Sequence, residues 1–96
     1  MLDKVKLALR ISHNLLDGDI NDTIETARAE LIRSGVSEEY ARSSHPLVES
    51  AIKTYCLYVY SNDDKKTQSY FDSWQYQLDN IRKSPEPALE EGDSDV

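Results

Sequence analysis

The chain has 96 residues, of which 39% are hydrophobic and 30% charged, and its formal net charge is −7. This length suits one domain with a thin core, and the acidic balance, with only short basic clusters, disfavours a protein that wraps nucleic acid. Cys56 is the only cysteine, which excludes an internal disulfide and fits a reducing, cytosolic site of synthesis.

The first helix is predicted over residues 2–10. Leu2, Val5 and Leu9 recur at helical spacing on one face, and the two lysines of the segment point away. The segment is too polar for a signal peptide, and no run in the chain is long and apolar enough for a membrane span. Residues 12–18 are predicted to form a loop.

The second helix is predicted over residues 20–34. Asp19 or Asn21 can cap its start, and Gly35 suits the left-handed position after its end. Its apolar stripe is Ile20, Ile24, Ala27 and Leu31. Ser37 is predicted to cap a short helical turn that begins with two glutamates.

The central helix is predicted to begin at Pro46 and run to about Ser61. Its second half, which contains Tyr55, Cys56, Leu57, Tyr58, Val59 and Tyr60, is apolar nearly all round. A helix of this kind is enclosed on most sides, and another subunit is a candidate to cover one of them.

The last helix is predicted over residues 63–83, with Tyr70, Phe71, Trp74, Leu78 and Ile81 as its apolar stripe. Pro85 and Pro87 stop it. Residues 84–96 hold five acids and no base, so we expect a disordered acidic tail that follows a helical domain of residues 1–83. The predicted fold is all-α: a small bundle of four main helices plus a short helical turn.

No catalytic, cofactor-binding or metal-binding set can be assembled from these residues. His13 and His45 stand alone, and Cys56 lies in the most apolar segment without a basic neighbour. The series Asp17, Asp19, Asn21 begins like a calcium loop but lacks its glycine and its closing glutamate. Residues 27–42 imitate a helix-turn-helix, but two glutamates would face the phosphates.

The tyrosines are the most informative side chains. Six tyrosines exceed what a small helical core needs, and tyrosine favours interfaces. We expect Tyr55, Phe71 and Trp74 to be core. The candidates for an oligomer or partner interface are Tyr58, Tyr60, Tyr70 and Tyr76.

Three stretches carry a family resemblance: Leu2-Asp3-Lys4-Val5-Lys6 with Leu9-Arg10-Ile11; the acidic segment 17–22 before Ile24, Ala27, Ile32 and Gly35; and His45-Pro46-Leu47-Val48 with Ala51-Ile52 and the tyrosine-rich segment 55–60. Together they resemble the small head–tail connector (head-completion or DNA-packaging) proteins of long-tailed bacteriophages. In that family the first helix leads into an extended step at "LRI". The segment 61–64 departs from the arginine-containing turn usual in the family.

The resemblance implies a structural protein that forms a ring of identical subunits under the portal and extends the DNA channel. It would offer a platform to the next neck or tail protein, and DNA would pass without being read. It would be made in the bacterial host cytoplasm and end in the virion neck. The alternative from the residues alone is a small helical adaptor or regulator, antitoxin-like or DNA-linked; an enzyme is disfavoured.

Overall fold

The computed structural model describes residues 1–83, and this part of the chain is helical without a strand. The helices in chain order are α1 (Leu2–Leu9), α2 (Asp17–Arg33), α3 (Glu38–Ala41), α4 (Pro46–Tyr60) and α5 (Asp64–Lys83). The predicted all-α class, with four main helices and a short helical turn, is confirmed. The predicted acidic tail, residues 84–96, lies outside the described residues.

The first two helices end in the same way. After α1, the Ile11 amide donates to the Lys6 carbonyl at 2.9 Å; after α2, the Val36 amide donates to the Leu31 carbonyl at 3.1 Å. The residue just before each donor has a left-handed backbone: Arg10 with φ 61° before Ile11, and Gly35 with φ 113° before Val36. The role predicted for Gly35 is confirmed. The extended step that the resemblance implied is wrong at Arg10, whose left-handed conformation closes the end of α1.

The start of α2 differs from the prediction. The helix begins at Asp17, and its N-cap is Leu16, which makes no side-chain capping bond. Asp17 is held from outside the helix, since its Oδ1 lies 2.8 Å from Nζ of Lys6. Lys6, predicted to point away, therefore keeps only 12% of its side chain exposed. The cap predicted at Asp19 or Asn21 is wrong, because both residues lie inside the helix.

Side chains cap the later helices. Ser37 Oγ accepts a hydrogen bond from the backbone N–H three residues later, at 3.1 Å, which confirms its predicted role. His45 Nδ1 accepts from the N–H two residues later, at 3.2 Å, and Pro46 occupies the first position of α4. Asp63 Oδ1 accepts from two N–H groups in the first turn of α5. These acceptors satisfy amides that a helix leaves unpaired at its start.

Helix α4 is the centre of the bundle, because α1, α2 and α5 all pack against it. The stripe predicted for the second helix is buried as expected. The main buried side chains are Val5 from α1, Ile20, Ile24, Ala27 and Leu31 from α2, Val48, Ala51, Ile52 and Cys56 from α4, and Trp74, Leu78 and Ile81 from α5.

Two segments are less buried within the subunit than their apolar residues suggest. Phe71, expected in the core, is only half-buried, as is Tyr70, an interface candidate on the same apolar stripe. The second half of α4, expected to be enclosed on most sides with one side left for another subunit, is only partly covered within the subunit: Leu57, Tyr58 and Tyr60 are half-buried and Val59 is exposed. The shared reason is position along the bundle. Leu57 to Tyr60 follow Cys56, the last buried residue of α4, and Tyr70 and Phe71 precede Trp74, the first buried residue of α5.

Candidate interaction surface

The reactive side chains are used structurally. Cys56 is fully buried, and burial raises the pKa of its thiol from 9.0 to about 11. Little thiolate is therefore present near neutral pH. His13 Nδ1, like that of His45, accepts a backbone N–H, in this case from Leu15 at 3.2 Å. Residues 1–83 contain no group of three or more His, Cys, Asp or Glu side chains placed to hold a metal ion.

The two imitated motifs do not form. The acidic series from Asp17 to Asn21 lies within α2, so it is not a loop that could wrap a cation. Helix α3 has four residues, about one turn, which is too short to lie in a DNA groove as a recognition helix. Within the described chain, no helix has both the length and the apolar character needed to cross a membrane.

A groove of about 240 Å³ opens where α4 ends and α5 begins, and it is called the corner groove below. Its apolar and aromatic walls are Leu9 from the end of α1, Leu57 and Tyr60 from α4, and Tyr70 from α5. Ser61, Asn62, Asp63 and Lys66 add polar atoms. The groove combines apolar walls with the ammonium group of Lys66, and the Asp63 carboxylate in the same lining accepts hydrogen bonds from backbone N–H groups at the start of α5. A chain segment that carries both apolar and acidic groups can use the walls and the ammonium group together.

Aromatic rings join α4 to α5 beside this groove. The ring centroids of Tyr55 and Trp74 lie 4.8 Å apart, and those of Tyr58 and Phe71 lie 5.2 Å apart. Tyr55 and Tyr58 connect the two pairs at 6.0 Å. Trp74 is core, as predicted, and Tyr55 packs against the core from a half-buried position. The prediction that Phe71 is a core residue is wrong, because its ring lies half-buried against Tyr58.

The four candidate tyrosines occupy three places. Tyr60 and Tyr70 both line the corner groove. The Tyr60 hydroxyl lies 3.3 Å from Oγ1 of Thr23, which connects this end of α4 to α2. Tyr58 belongs to the row of rings, and Tyr76 is 69% exposed on α5. The structure therefore brings together one pair of the four and leaves the other two apart.

Two exposed leucines were missed by the sequence argument. Leu7 is 82% exposed and Leu15 is 87% exposed. Leu7 carried a usable signal: it lies two residues from Val5 and Leu9, about 200° away around the helix, so it cannot share their buried face. Leu15 follows α1 in a segment without periodicity, and nothing in its neighbours marked it as exposed.

The chain matches one family model, described as phage connector protein, over residues 1–86. No curated protein and no solved structure gave a match. The matched range includes every helix of the structure and therefore both the corner groove and the exposed leucines. The chain belongs to the phage connector protein family and is a structural protein of the phage head–tail junction.

Proposed function

We propose that this protein forms a closed ring under the phage portal, extends the DNA channel, and provides the platform on which a stopper or tail protein docks. The observation that carries this proposal is the family match, which spans all five helices of the described residues. In this ring, Tyr58 and Tyr60 on α4 and Tyr70 and Tyr76 on α5 contact neighbouring subunits or the portal.

The arrangement of exposed apolar groups supports a ring. A ring is built from a head-to-tail interface, which needs two different surfaces on each subunit. Leu9 lines the corner groove, while Leu7 points to nearly the opposite side of α1. The subunit thus offers apolar surface in two directions, as repeated head-to-tail contact requires.

The charge of the body supports a passive conduit for DNA. Residues 1–83 hold thirteen acids and all eleven lysines and arginines, a net charge of −2. Several of those cations are already paired within the subunit, such as Arg28 with Glu25 and Arg33 with Glu30. A surface of this kind does not hold phosphates tightly, so DNA can pass along it.

The test is the mass in solution, measured by light scattering with and without the portal of the same phage. We expect a closed ring, alone or on the portal. Tyr70→Ser and Tyr76→Ser should weaken assembly while helicity by circular dichroism stays unchanged, and Gln75→Ser, also exposed on α5, is the control. A protein that remains monomeric and ignores the portal would contradict the proposal.

A further inference from the structure

Lys66 is the cation of the corner groove, and its ammonium group makes no ion pair or hydrogen bond with another residue of the described chain. The same holds for Lys65 beside it and for Arg10, which follows the groove residue Leu9. The carboxylate of Asp63, also in the lining, is engaged with the backbone N–H groups of residues 65 and 66.

The end of the chain has the complementary chemistry. Residues 84–96 carry five acids and no base, and they contain a short apolar stretch, Ala88-Leu89, followed directly by Glu90 and Glu91. An apolar side chain next to two carboxylates matches apolar walls next to an ammonium group. Bare phosphate would use the cations of the groove but not its leucine and tyrosine walls.

We propose that residues 84–96 of one subunit dock in the corner groove of a neighbouring subunit. The proposal pairs the apolar side chain of Leu89 with the walls formed by Leu57, Tyr60 and Tyr70, and the carboxylates of Glu90 and Glu91 with the ammonium group of Lys66. This proposal rests on the proposed ring, which brings a second subunit close. It adds a specific contact between subunits, made by residues 84–96.

Distance favours a neighbouring subunit over the same chain. Lys66 lies 17 residues before Lys83 in α5, a separation of about 25 Å along the helix. Six residues from Lys83 to Leu89 span at most about 20–22 Å. Leu89 could then reach only the level of Tyr70 in its own subunit, and only on a straight, fully extended path. For docking on a neighbouring subunit, the same reach is measured to a groove whose distance is set by the packing of the ring and not by the length of α5.

The first experiment depends on the state of the full chain in light scattering. Where it is monomeric, a fluorescent peptide of residues 84–96 is titrated into it and followed by polarisation. We expect saturable binding that weakens about five- to tenfold in Lys66→Glu. A Leu89→Asp peptide should bind about tenfold more weakly or worse. Lys83→Glu, an exposed cation at the other end of α5, is the control.

Where the chain is assembled, subunits labelled with ¹⁴N and ¹⁵N are mixed and joined by a carbodiimide, which activates a carboxylate for attack by a lysine amine; an amide forms and the carbodiimide leaves as its urea. Mass spectrometry should then find mixed-isotope links from Lys66 to Glu90 or Glu91, and Leu89→Asp should remove them. Links found only within one isotope would overturn docking between subunits.

Other results overturn the proposal outright. These are the absence of peptide binding by the monomer, equal weakening by Lys66→Glu and Lys83→Glu, and an assembled ring without tail links. A short DNA duplex that binds through Lys66 while the peptide does not would assign the groove to phosphate instead. A ring without tail links leaves the proposed function standing, whereas peptide binding by a protein that never assembles, with or without the portal, contradicts both the ring and docking between subunits.

Discussion

The centre of the bundle and the corner groove use similar residue types but differ in the cover they receive. In the centre, α1, α2 and α5 all pack on α4, and Val5, Leu31 and Ile52 are fully buried. At the corner, past Cys56, the cover thins, and Leu57, Tyr60 and Tyr70 stay half-buried.

The difference separates stability from recognition. Apolar area removed from water contributes to the stability of the subunit, so the centre supplies most of it. Apolar area left half-exposed contributes when a partner covers it, which is what the corner retains. Substitutions in the centre should therefore change unfolding, and substitutions at the corner should change assembly.

The largest effect is expected at Trp74, which is 3% exposed and contacts the ring of Tyr55. Trp74→Ala should lower the free energy of unfolding by about 3–5 kcal/mol, because it leaves a large cavity. Tyr76→Ala, two residues away but exposed, should change it by less than about 0.5 kcal/mol. Urea unfolding followed by circular dichroism measures both, and equal losses would show that α5 does not have one buried face.

Two leucines compare the regions directly. Leu31→Ala should lower the free energy of unfolding by about 2–5 kcal/mol, since Leu31 is fully buried in α2. Leu57→Ala at the corner should cost about 1–2 kcal/mol, because part of its surface is already in water. Denaturant midpoints at subunit concentrations below assembly give the comparison. A larger loss for Leu57 would place the corner in the core.

Cys56 makes the stability of the centre depend on alkaline pH. Burial raises the pKa of its thiol from 9.0 to about 11, so the folded protein holds this proton more tightly. The resulting stability is fully present below pH 9 and is lost as pH rises to about 11, by about 2–3 kcal/mol. Unfolding at pH 8.5 and 11 should show a steeper loss in the wild type than in Cys56→Ala. Parallel losses would contradict the burial of the thiol.

The smallest effect concerns the ion pair of Lys4 and Glu49, which joins α1 to α4 at 2.6 Å. The hydrogen bond from Lys4 holds the pKa of the Glu49 carboxyl below its usual range. The contribution of this ion pair to the free energy of unfolding is present above pH 4.5 and is lost as the pH falls through the lowered pKa of Glu49. Glu49→Gln should lower the free energy of unfolding by about 0.2–1 kcal/mol at pH 7, and by less in high salt. The control is Asp22→Asn, at an exposed position of α2. A cost that is unchanged at pH 3 would show that it is not electrostatic.

Local signals were sufficient for much of the fold. The spacing of Ile20, Ile24, Ala27 and Leu31 predicted the buried face of α2, and Ser37, Gly35 and Pro46 marked helix ends where the structure has them. These features depend on residues within a few positions of one another, so an unaligned sequence contains them. The start of α2 was predicted three residues too late; its first residue, Asp17, pairs with Lys6 of α1, a contact that no local signal contains.

The sequence by itself determined the helical class, the ends marked by Gly35, Ser37 and Pro46, and the acidic character of the last residues. Only the tertiary structure decided which aromatic residues meet: Tyr60 and Tyr70 line one groove with Leu9, while Tyr58 joins a row of rings and Tyr76 remains alone. It also decided that Lys66 lies beside apolar walls without a partner in residues 1–83. Helical periodicity says which face of a helix is apolar, but which helix covers that face, and how far along, depends on contacts between distant segments.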